Sequence, residues 1–242
     1  MTHLSPTAMV LAAGLGTRMR PMTLSKPKPL QMVGPKTMLD HALDKLVGAG
    51  ITRAVVNTHY LAEQIEDHLQ NRRDLEIIIS REDELLDTGG GIVKALDYFE
   101  NKPFFALNAD LPWLDATIPS LVRMQKMWDP AQMDALLLLM RTDKARGFAT
   151  HGDFALEPDG RLWRKDLPAP RPFVWISAQI LKPSLFAHPP AKAFSNNHVW
   201  NKAEEARRLF GIEHDGTCYH VGTPEDWHMA NALLESGKGW AV

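Results

Sequence analysis

Residues 8–18 read Ala-Met-Val-Leu-Ala-Ala-Gly-Leu-Gly-Thr-Arg, and this stretch decides the fold. Its apolar run, residues 8–13, predicts a buried β-strand that ends at Gly14. Helical patterns separate this run from later ones, and the alternation predicts an α/β fold with a Rossmann-like, mostly parallel sheet flanked by helices. The three further runs of strand length in the first half are residues 54–57, 75–79 and 104–107.

The helices and the second half are less sharply defined. Thr37 resembles the first residue of a capping box and opens a helix that closes around Gly48. Strands are expected at residues 135–140 and 173–181, and Pro172 is one of three prolines that interrupt the chain before the second of them. The chain shows no repeat and no long polar linker, so we expect one domain, residues 1–242, with an irregular second lobe. Further helices are predicted at residues 61–69, 92–99, 118–128, 197–209 and 224–235.

The composition excludes several classes of protein. With 242 residues, 45% of them hydrophobic and 23% charged, the chain is typical of soluble globular proteins. The formal charge of −2 lacks the basic excess of nucleic-acid-binding domains, so no nucleic-acid partner is expected. The single cysteine, Cys218, fits a reducing compartment, and the longest apolar run is far shorter than the roughly 20 residues of a membrane span. We expect a cytoplasmic protein with no membrane partner; the sequence is silent on its oligomeric state.

The glycine loop after the first strand suits an anionic ligand. Gly14 and Gly16 lack a Cβ and permit positive φ, so neighbouring N–H groups can converge on phosphate oxygens. Arg18 adds a planar fork of donors and Lys28 a mobile point charge. The prolines on either side of Lys28 predict extended backbone there. A plain glycine turn with exposed basic residues is the alternative. Because strand ends meet at one edge of a parallel sheet, we expect this loop, residues 87–91 and residues 108–110 to face one crevice.

Residues 11–30 combine Leu-Ala-Ala-Gly-x-Gly-Thr-Arg-Met-x-Pro with Pro-Lys-Pro-Leu. This pattern resembles the signature of the sugar-1-phosphate nucleotidylyltransferases. The resemblance implies that a nucleoside triphosphate and a sugar 1-phosphate react to give a nucleotide sugar and pyrophosphate. The Thr-Gly-Gly-Gly element is most similar to that of enzymes of bacterial cell-wall recycling that use UTP and N-acetylmuramate 1-phosphate, and GTP with mannose or heptose 1-phosphate is the alternative. Further matches lie at residues 87–91, 108–110, 179–186 and 221–226.

The resemblance also implies a nucleotide-binding half, about residues 1–115, and a sugar-binding half, about residues 116–242, which contains Trp175 and Trp200. The base and phosphates would be held by the first loop, through Leu11, Ala12, Ala13, Gly14, Gly16 and Thr17. A second, base-side glycine loop would be formed by Thr88, Gly89 and Gly90.

The catalytic roles carry over in the same way. Arg18 corresponds to the family's arginine on the leaving pyrophosphate, and Lys28 to its lysine near the α-phosphate and the sugar phosphate. Asp110 corresponds to its Mg²⁺ ligand, a hard oxygen donor of the kind that Mg²⁺ prefers. Asp87 and Asn108 are candidate substrate contacts.

Two positions depart from the family pattern. His220 stands where the family carries a second Mg²⁺-binding aspartate, and imidazole is a poor ligand for Mg²⁺. One alternative is that the metal relies on Asp110, phosphates and water. Another is that His220 contacts phosphate, and a third is that a nitrogen-tolerant ion such as Mn²⁺ is used. Asp215 and Asp226 are candidate substitutes for the missing aspartate, although neither stands at its position. The family's Glu-Lys-Pro sugar motif is replaced by Arg-Lys-Asp at residues 164–166.

Three other classes remain as alternatives. A redox enzyme would need a small residue in place of Met19 and an acidic residue near residues 57–59, which read Asn-Thr-His. A metal-dependent glycosyltransferase would more often show paired aspartates at residues 108–110, which read Asn-Ala-Asp. A non-catalytic sugar-nucleotide-binding protein would explain His220, although Lys28 and Arg18 are present.

The near-neutral charge conceals an uneven distribution. Residues 1–39 hold five basic and no acidic residues, a charge of +5. The remaining 203 residues carry 22 basic and 29 acidic residues, a charge of −7. A local field of this kind attracts a small polyanion such as a nucleotide.

Overall fold

The computed structural model describes residues 4–148, 151–164 and 171–237. In these ranges the chain forms six α-helices, α1 Met38–Gly48, α2 Ala62–Leu69, α3 Asp87–Ala95, α4 Ser120–Met127, α5 Asn197–Glu205 and α6 Pro224–Glu235. The strands of the same ranges are β1 Thr7–Leu11, β2 Met32–Val33, β3 Lys36–Thr37, β4 Arg53–Thr58, β5 Glu76–Arg81, β6 Phe104–Asn108, β7 Trp113–Leu114, β8 Ala135–Arg141, β9 Ala155–Leu156, β10 Leu162–Trp163, β11 Phe173–Leu181, β12 Leu209–Glu213 and β13 Thr217–Cys218. Short 3-10 helices lie at Thr17–Met19, Met22–Leu24, Lys28–Leu30, Leu96–Phe99 and Pro183–Phe186. None of the helices in the described ranges has the length and apolar character that a bilayer crossing requires.

A seven-stranded sheet forms the centre, in the order β12-β8-β11-β6-β1-β4-β5. Strand β1 pairs in parallel with β4 on one side and with β6 on the other, and β4 pairs in parallel with β5. Strand β11 is antiparallel to both β6 and β8, and β12 is parallel to β8. Six of the seven strands therefore share one direction, and the predicted mostly parallel sheet is confirmed.

Helices cover both faces of this sheet. Successive residues of β1 point to opposite faces, so Val10 packs with residues of α1, α2 and α4 while Met9 packs with residues of α3 and α5. In the second of these clusters the rings of Phe99 and Phe104 stack with their centroids 3.9 Å apart. Burial on both faces explains why the strands read as continuous apolar runs rather than alternating patterns.

The carboxyl ends of the parallel strands create the edge where the site forms. Strand β1 ends at Leu11, and its neighbours β4 and β6 end at Thr58 and Asn108. The chain order reverses across β1, since β4 follows on one side and β6 on the other, and ligands bind in the crevice at such switch points. The antiparallel β11 brings its first residues to the same edge.

Three local predictions are wrong. The helix predicted at residues 92–99 begins at Asp87, so residues 87–91 form its first turns instead of a loop, because packing against a distant segment outweighs the low helix propensity of three glycines. The helix predicted at residues 197–209 ends at Glu205, and Arg207 reverses the chain with a φ of 55° before β12. The backbone at Lys28 is a 3-10 turn, and it is Pro27 before it that is extended.

We expect Phe104→Ala to lower the free energy of unfolding by about 3–5 kcal/mol, because it removes a fully buried ring that stacks on Phe99. The measurement is urea denaturation followed by circular dichroism. Tyr98→Ala removes an aromatic ring that is 42% exposed and serves as the control. Equal losses in the two variants would contradict the central place of the Phe99–Phe104 stack in the core.

Candidate active site

A cleft of about 410 Å³ opens at the carboxyl edge of the sheet, beside the end of β1. The structure brings together here the three segments that the sequence placed at one crevice. The predicted site residues that line the cleft are Leu11, Ala12, Ala13, Gly14, Gly16, Thr17, Arg18, Lys28, Asp87, Thr88, Asn108 and Asp110. The other three predicted site residues, Gly89, Gly90 and His220, are not part of this lining. Sequence reasoning missed Asn57, Glu82, Leu85 and Gly222, which also line it.

The glycine loop is held against the segment that carries Lys28. Gly16 has a φ of 60°, and a Cβ there would lie 3.1 Å from Lys28 Cβ and from Thr23 Cγ2. The Thr23 hydroxyl donates to the Gly16 carbonyl oxygen at 2.8 Å. Glycine is therefore required at residue 16 both for its positive φ and for this close approach. The loop and Lys28 form one rigid wall of the cleft.

A buried carboxylate joins the glycine loop to the first turn of α3. Glu82 is only 3% exposed, and its two oxygens accept from Asn57 Nδ2 at 2.7 Å and from the Leu86 N–H at 3.0 Å. Asn57 Oδ1 in turn accepts from the Ala12 N–H at 2.7 Å. A Cβ at Gly91 would lie 2.8 Å from Asn57 Nδ2, so glycine is required there as well. Because the Ala12 N–H is already bonded, Ala12 can offer a nucleotide only its carbonyl group.

The first turn of α3 packs against residues 192–196. The N–H groups of Gly89 and Gly90 both donate to the Phe194 carbonyl oxygen, at 2.8 and 3.3 Å. A Cβ at Gly89 would lie 2.8 Å from that oxygen. The Thr88 hydroxyl accepts from the Asn196 N–H at 2.8 Å. The two glycines thus permit a close approach of backbone to backbone, and contact with a base through Thr88, Gly89 and Gly90 stays a prediction.

The floor of the cleft carries an ion pair. Lys28 Nζ lies 2.7 Å from Asp110 Oδ2, and the lysine side chain is 8% exposed against 36% for the aspartate. Burial opposes ionisation of Asp110, but the Lys28 ammonium outweighs it, with help from His220 and Arg18, and holds the pKa of the carboxyl below its ordinary value. Arg18 is exposed at the rim and has no hydrogen bond or ion pair with any described residue. The guanidinium of Arg18 and two N–H groups of Lys28 remain for an anion.

His220 is a neutral imidazole beside this pair. Its Nδ1 lies 3.1 Å from the Gly147 carbonyl oxygen, and its ring approaches Gly222 in the cleft wall. Burial, together with the Lys28 charge, lowers the pKa of His220 below its ordinary value, so the ring is neutral near pH 7. A neutral ring that donates Nδ1–H to a carbonyl leaves a free lone pair on Nε2.

The candidate substitutes for the second metal ligand are both engaged elsewhere. Asp215 forms an ion pair with Arg123 at 2.9 Å. Asp226 accepts from the N–H groups of Gly222 and Thr223 and completes the capping box of α6. A role of either residue in place of the family's aspartate stays a prediction. Within the described ranges no group of three or more His, Cys, Asp or Glu side chains surrounds a common point.

A second cavity of about 370 Å³ adjoins the cleft and shares Asp87 and Thr88 with it. Trp175 and Trp200 form one wall, with ring centroids 4.9 Å apart and planes at 71°. Trp200 is fixed by a hydrogen bond from Nε1 to Gln179 Oε1 at 2.8 Å. Residues 165 and 166 of the Arg-Lys-Asp replacement lie outside the described residues. The other residues of the lining are Asp153, Phe154, Arg164, Arg171, Ser195, Asn196 and Asn197.

The family model for nucleotidyl transferases matches residues 7–149, which cover the glycine loop, Lys28, α3 and Asp110. The chain belongs to the nucleotidyl transferase family. The family prediction made from the loop motif is thereby confirmed.

Among the relatives of this nucleotidyl transferase is the N-acetylmuramate alpha-1-phosphate uridylyltransferase of Caulobacter vibrioides, 39% identical over 97% of this chain and 99% of the relative. Another is the mannose-1-phosphate guanylyltransferase catalytic subunit beta of Drosophila pseudoobscura pseudoobscura, 30% identical over 95% of this chain and 62% of the relative. The crystal structure of a UDP-glucose pyrophosphorylase complexed with UDP-glucose superposes with a TM-score of 0.80 at 18% identity, over 96% of this chain and 98% of that one. That likeness confirms the fold.

We expect Glu82→Gln to lower the free energy of unfolding by about 1–3 kcal/mol and to weaken nucleotide binding, because the new amide group faces either Asn57 Nδ2 or the Leu86 N–H, both of which are donors. Thermal denaturation and nucleotide titration calorimetry measure the two effects. Glu84→Gln makes the same change on an exposed side chain and should alter neither. A Glu82→Gln protein with unchanged stability would show that the buried carboxylate does not hold the loop.

Proposed function

We propose that this nucleotidyl transferase joins a nucleoside triphosphate to a sugar 1-phosphate and releases pyrophosphate, with UTP and N-acetylmuramate 1-phosphate as its substrates. The observation that carries the proposal is the Lys28–Asp110 pair on the floor of a glycine-walled cleft, with the unpaired Arg18 at its rim. The nearly full-length similarity to an N-acetylmuramate alpha-1-phosphate uridylyltransferase supports the choice of substrates.

The reaction makes charge the main obstacle to catalysis. An oxygen of the sugar phosphate attacks the α-phosphorus, and the bond from that phosphorus to the departing pyrophosphate breaks in line with it. Lys28 keeps two N–H groups free beyond its bond to Asp110, and we assign them to the α-phosphate and the sugar phosphate. The fork of Arg18 takes the oxygens of the leaving pyrophosphate. Both side chains reduce the repulsion between the two reacting anions and hold them in line.

The side chains near the floor of the cleft suit a magnesium ion that would arrive with the nucleotide. Asp110 is ionised, and only one of its oxygens has a hydrogen-bond partner among the described residues. Mg²⁺ is commonly bound by one or two carboxylates, with substrate phosphates and water completing its shell. Asp110 would hold the ion, which would neutralise phosphate charge, and Nε2 of His220 offers it a nitrogen that Mn²⁺ accepts more readily.

The two cavities support a division of the chain into two halves of one domain. Apart from Gly222, the residues that line the first cleft belong to residues 1–115. Apart from Asp87 and Thr88, those that line the second belong to residues 116–242. We assign the nucleotide to the first half and the sugar to the second. The buried free thiol of Cys218 is in keeping with our proposal of a cytoplasmic enzyme.

The test is pyrophosphate release over a matrix of four nucleoside triphosphates, several sugar 1-phosphates, and Mg²⁺ or Mn²⁺. We expect the highest kcat/KM with UTP and N-acetylmuramate 1-phosphate. A maximum with GTP and mannose 1-phosphate would favour the second candidate, which the similarity to a mannose-1-phosphate guanylyltransferase subunit supports. Nucleotide binding without turnover of any pair would refute the enzyme and indicate a sugar-nucleotide-binding protein.

We expect Lys28→Met to lower kcat by about 10²–10³, the range found when one preorganised donor to a developing charge is removed. Nucleotide binding should fall much less, because the glycine loop and Arg18 remain. Lys36→Met is the control, since Lys36 is exposed and pairs with Asp44 outside the cleft. Steady-state pyrophosphate release gives kcat, and nucleotide titration calorimetry gives the binding affinity. Full turnover in Lys28→Met would refute the role of this lysine.

We expect His220→Asp to lower the Mg²⁺ concentration for half-maximal activity relative to that for Mn²⁺, because a carboxylate replaces a nitrogen ligand. Metal titration of the nucleotide-bound protein gives the same comparison without turnover. His228→Asp introduces the same charge at an exposed position of α6 and should leave the metal preference unchanged. An unchanged preference in His220→Asp would show that His220 does not face the metal.

A further inference from the structure

The second cavity contains a buried amide that lacks a partner. Asn196 is 2% exposed, and neither Nδ2 nor Oδ1 has a hydrogen-bond partner among the described residues. Its backbone N–H is fixed by the Thr88 hydroxyl, in the wall that the two cavities share. Leaving a buried donor and a buried acceptor unpaired costs free energy, which a ligand with an acceptor and a donor of its own would recover.

The same cavity contains a half-buried guanidinium without an ion-pair partner in the described part of the chain. Arg164 lies over the rings of Phe154 and Trp200, 5.9 and 5.7 Å from their centroids, and Nη1 donates to Asn197 Oδ1 at 2.7 Å. Burial lowers the pKa of Arg164 below its ordinary value, although the negative charges of Glu204 and Asp153 act to raise it. The guanidinium is thus a half-buried cation that keeps N–H donors beyond its bond to Asn197.

The carboxylates that line the cavity are directed at backbone groups. Asp153 Oδ2 accepts from the Trp175 N–H at 3.1 Å. Asp87 Oδ1 accepts from the Thr88 N–H at 2.6 Å. Arg171 adds a second positive charge close enough to lower the pKa of Arg164 further. An acidic group on a ligand would therefore meet the guanidinium of Arg164 at this wall.

We propose that the second cavity selects sugar 1-phosphates that carry both a carboxylate, which Arg164 binds with Arg171 beside it, and an amide substituent, which the side chain of Asn196 binds. The inference rests on the proposed function, because it takes this cavity as the sugar subsite of that reaction. N-acetylmuramate 1-phosphate has both groups, a lactyl carboxylate and an acetamido group. The apolar rings of Trp175 and Trp200 complete the wall against the sugar.

The experiment compares three sugar phosphates with UTP in steady-state pyrophosphate release. They are N-acetylmuramate 1-phosphate, its uncharged lactyl carboxamide, and N-acetylglucosamine 1-phosphate, which lacks the lactyl group. We expect the protein to favour the acid over the carboxamide by about tenfold or more in kcat/KM, mainly through KM, as for the loss of one charge-assisted hydrogen bond.

Arg164→Met should bring kcat/KM for the acid and for the carboxamide to within about twofold of each other, because it lowers the value for the acid much more than the value for the carboxamide. Arg164→Lys keeps the charge and should favour the acid more strongly than Arg164→Met does. Arg161→Met is the control, since Arg161 lies on the same hairpin but lines neither cavity. Equal losses for acid and carboxamide in Arg164→Met would identify a structural role and overturn the assignment of this residue.

Asn196→Leu should lower kcat/KM by about tenfold for all three N-acetylated substrates and lower that for glucose 1-phosphate much less. A loss that extends equally to glucose 1-phosphate would overturn the role of Asn196. If the unmodified protein uses the carboxamide as readily as the acid, the inference is overturned. The proposed function would stand in that case, because nucleotidyl transfer still occurs. No pyrophosphate release with any sugar phosphate would refute the proposed function and the inference with it.

Discussion

The hydrogen-bonded pair of Glu82 and Asn57 is the constraint on which the site depends. It connects the end of β1, through the Ala12 N–H, with the start of α3, through the Leu86 N–H. Both elements contribute residues to the lining of the cleft. A carboxylate accepts several hydrogen bonds at once and remains stable when buried only if those bonds are made. The pair also restricts the residue packed against it, because a Cβ at Gly91 would lie 2.8 Å from Asn57 Nδ2 and 2.9 Å from Glu82 Oε1.

Much of the fold could be predicted because the central strands are buried on both faces. Their apolar runs marked every parallel strand of the first half and also β8 and β11. The start of α3 could not be predicted, because three consecutive glycines argue against a helix and distant contacts with residues 192–196 stabilise it there. Those contacts join positions about a hundred residues apart, and no local pattern encodes them.

The part of the candidate site that lies in recognisable motifs was predicted best. The glycine loop and Lys28 were assigned from a single motif and Asp110 from a separate match at residues 108–110, and they do meet in the cleft. Glu82 escaped because it stands among Arg81, Asp83 and Glu84, a run that is typical of a solvated surface. Its burial follows from the close approach of Asn57 and Gly91, which a lone sequence does not reveal. Asp215 and Asp226 pair with Arg123 and with the first turn of α6, and neither bond was predicted.

The bond between Thr88 and Asn196 gives the two cavities a common wall. A ligand that shifted α3 on one side would also shift the segment that carries Asn196 on the other. The occupancies of the two cavities would then be thermodynamically linked, and each ligand would change the affinity for the other by the same factor.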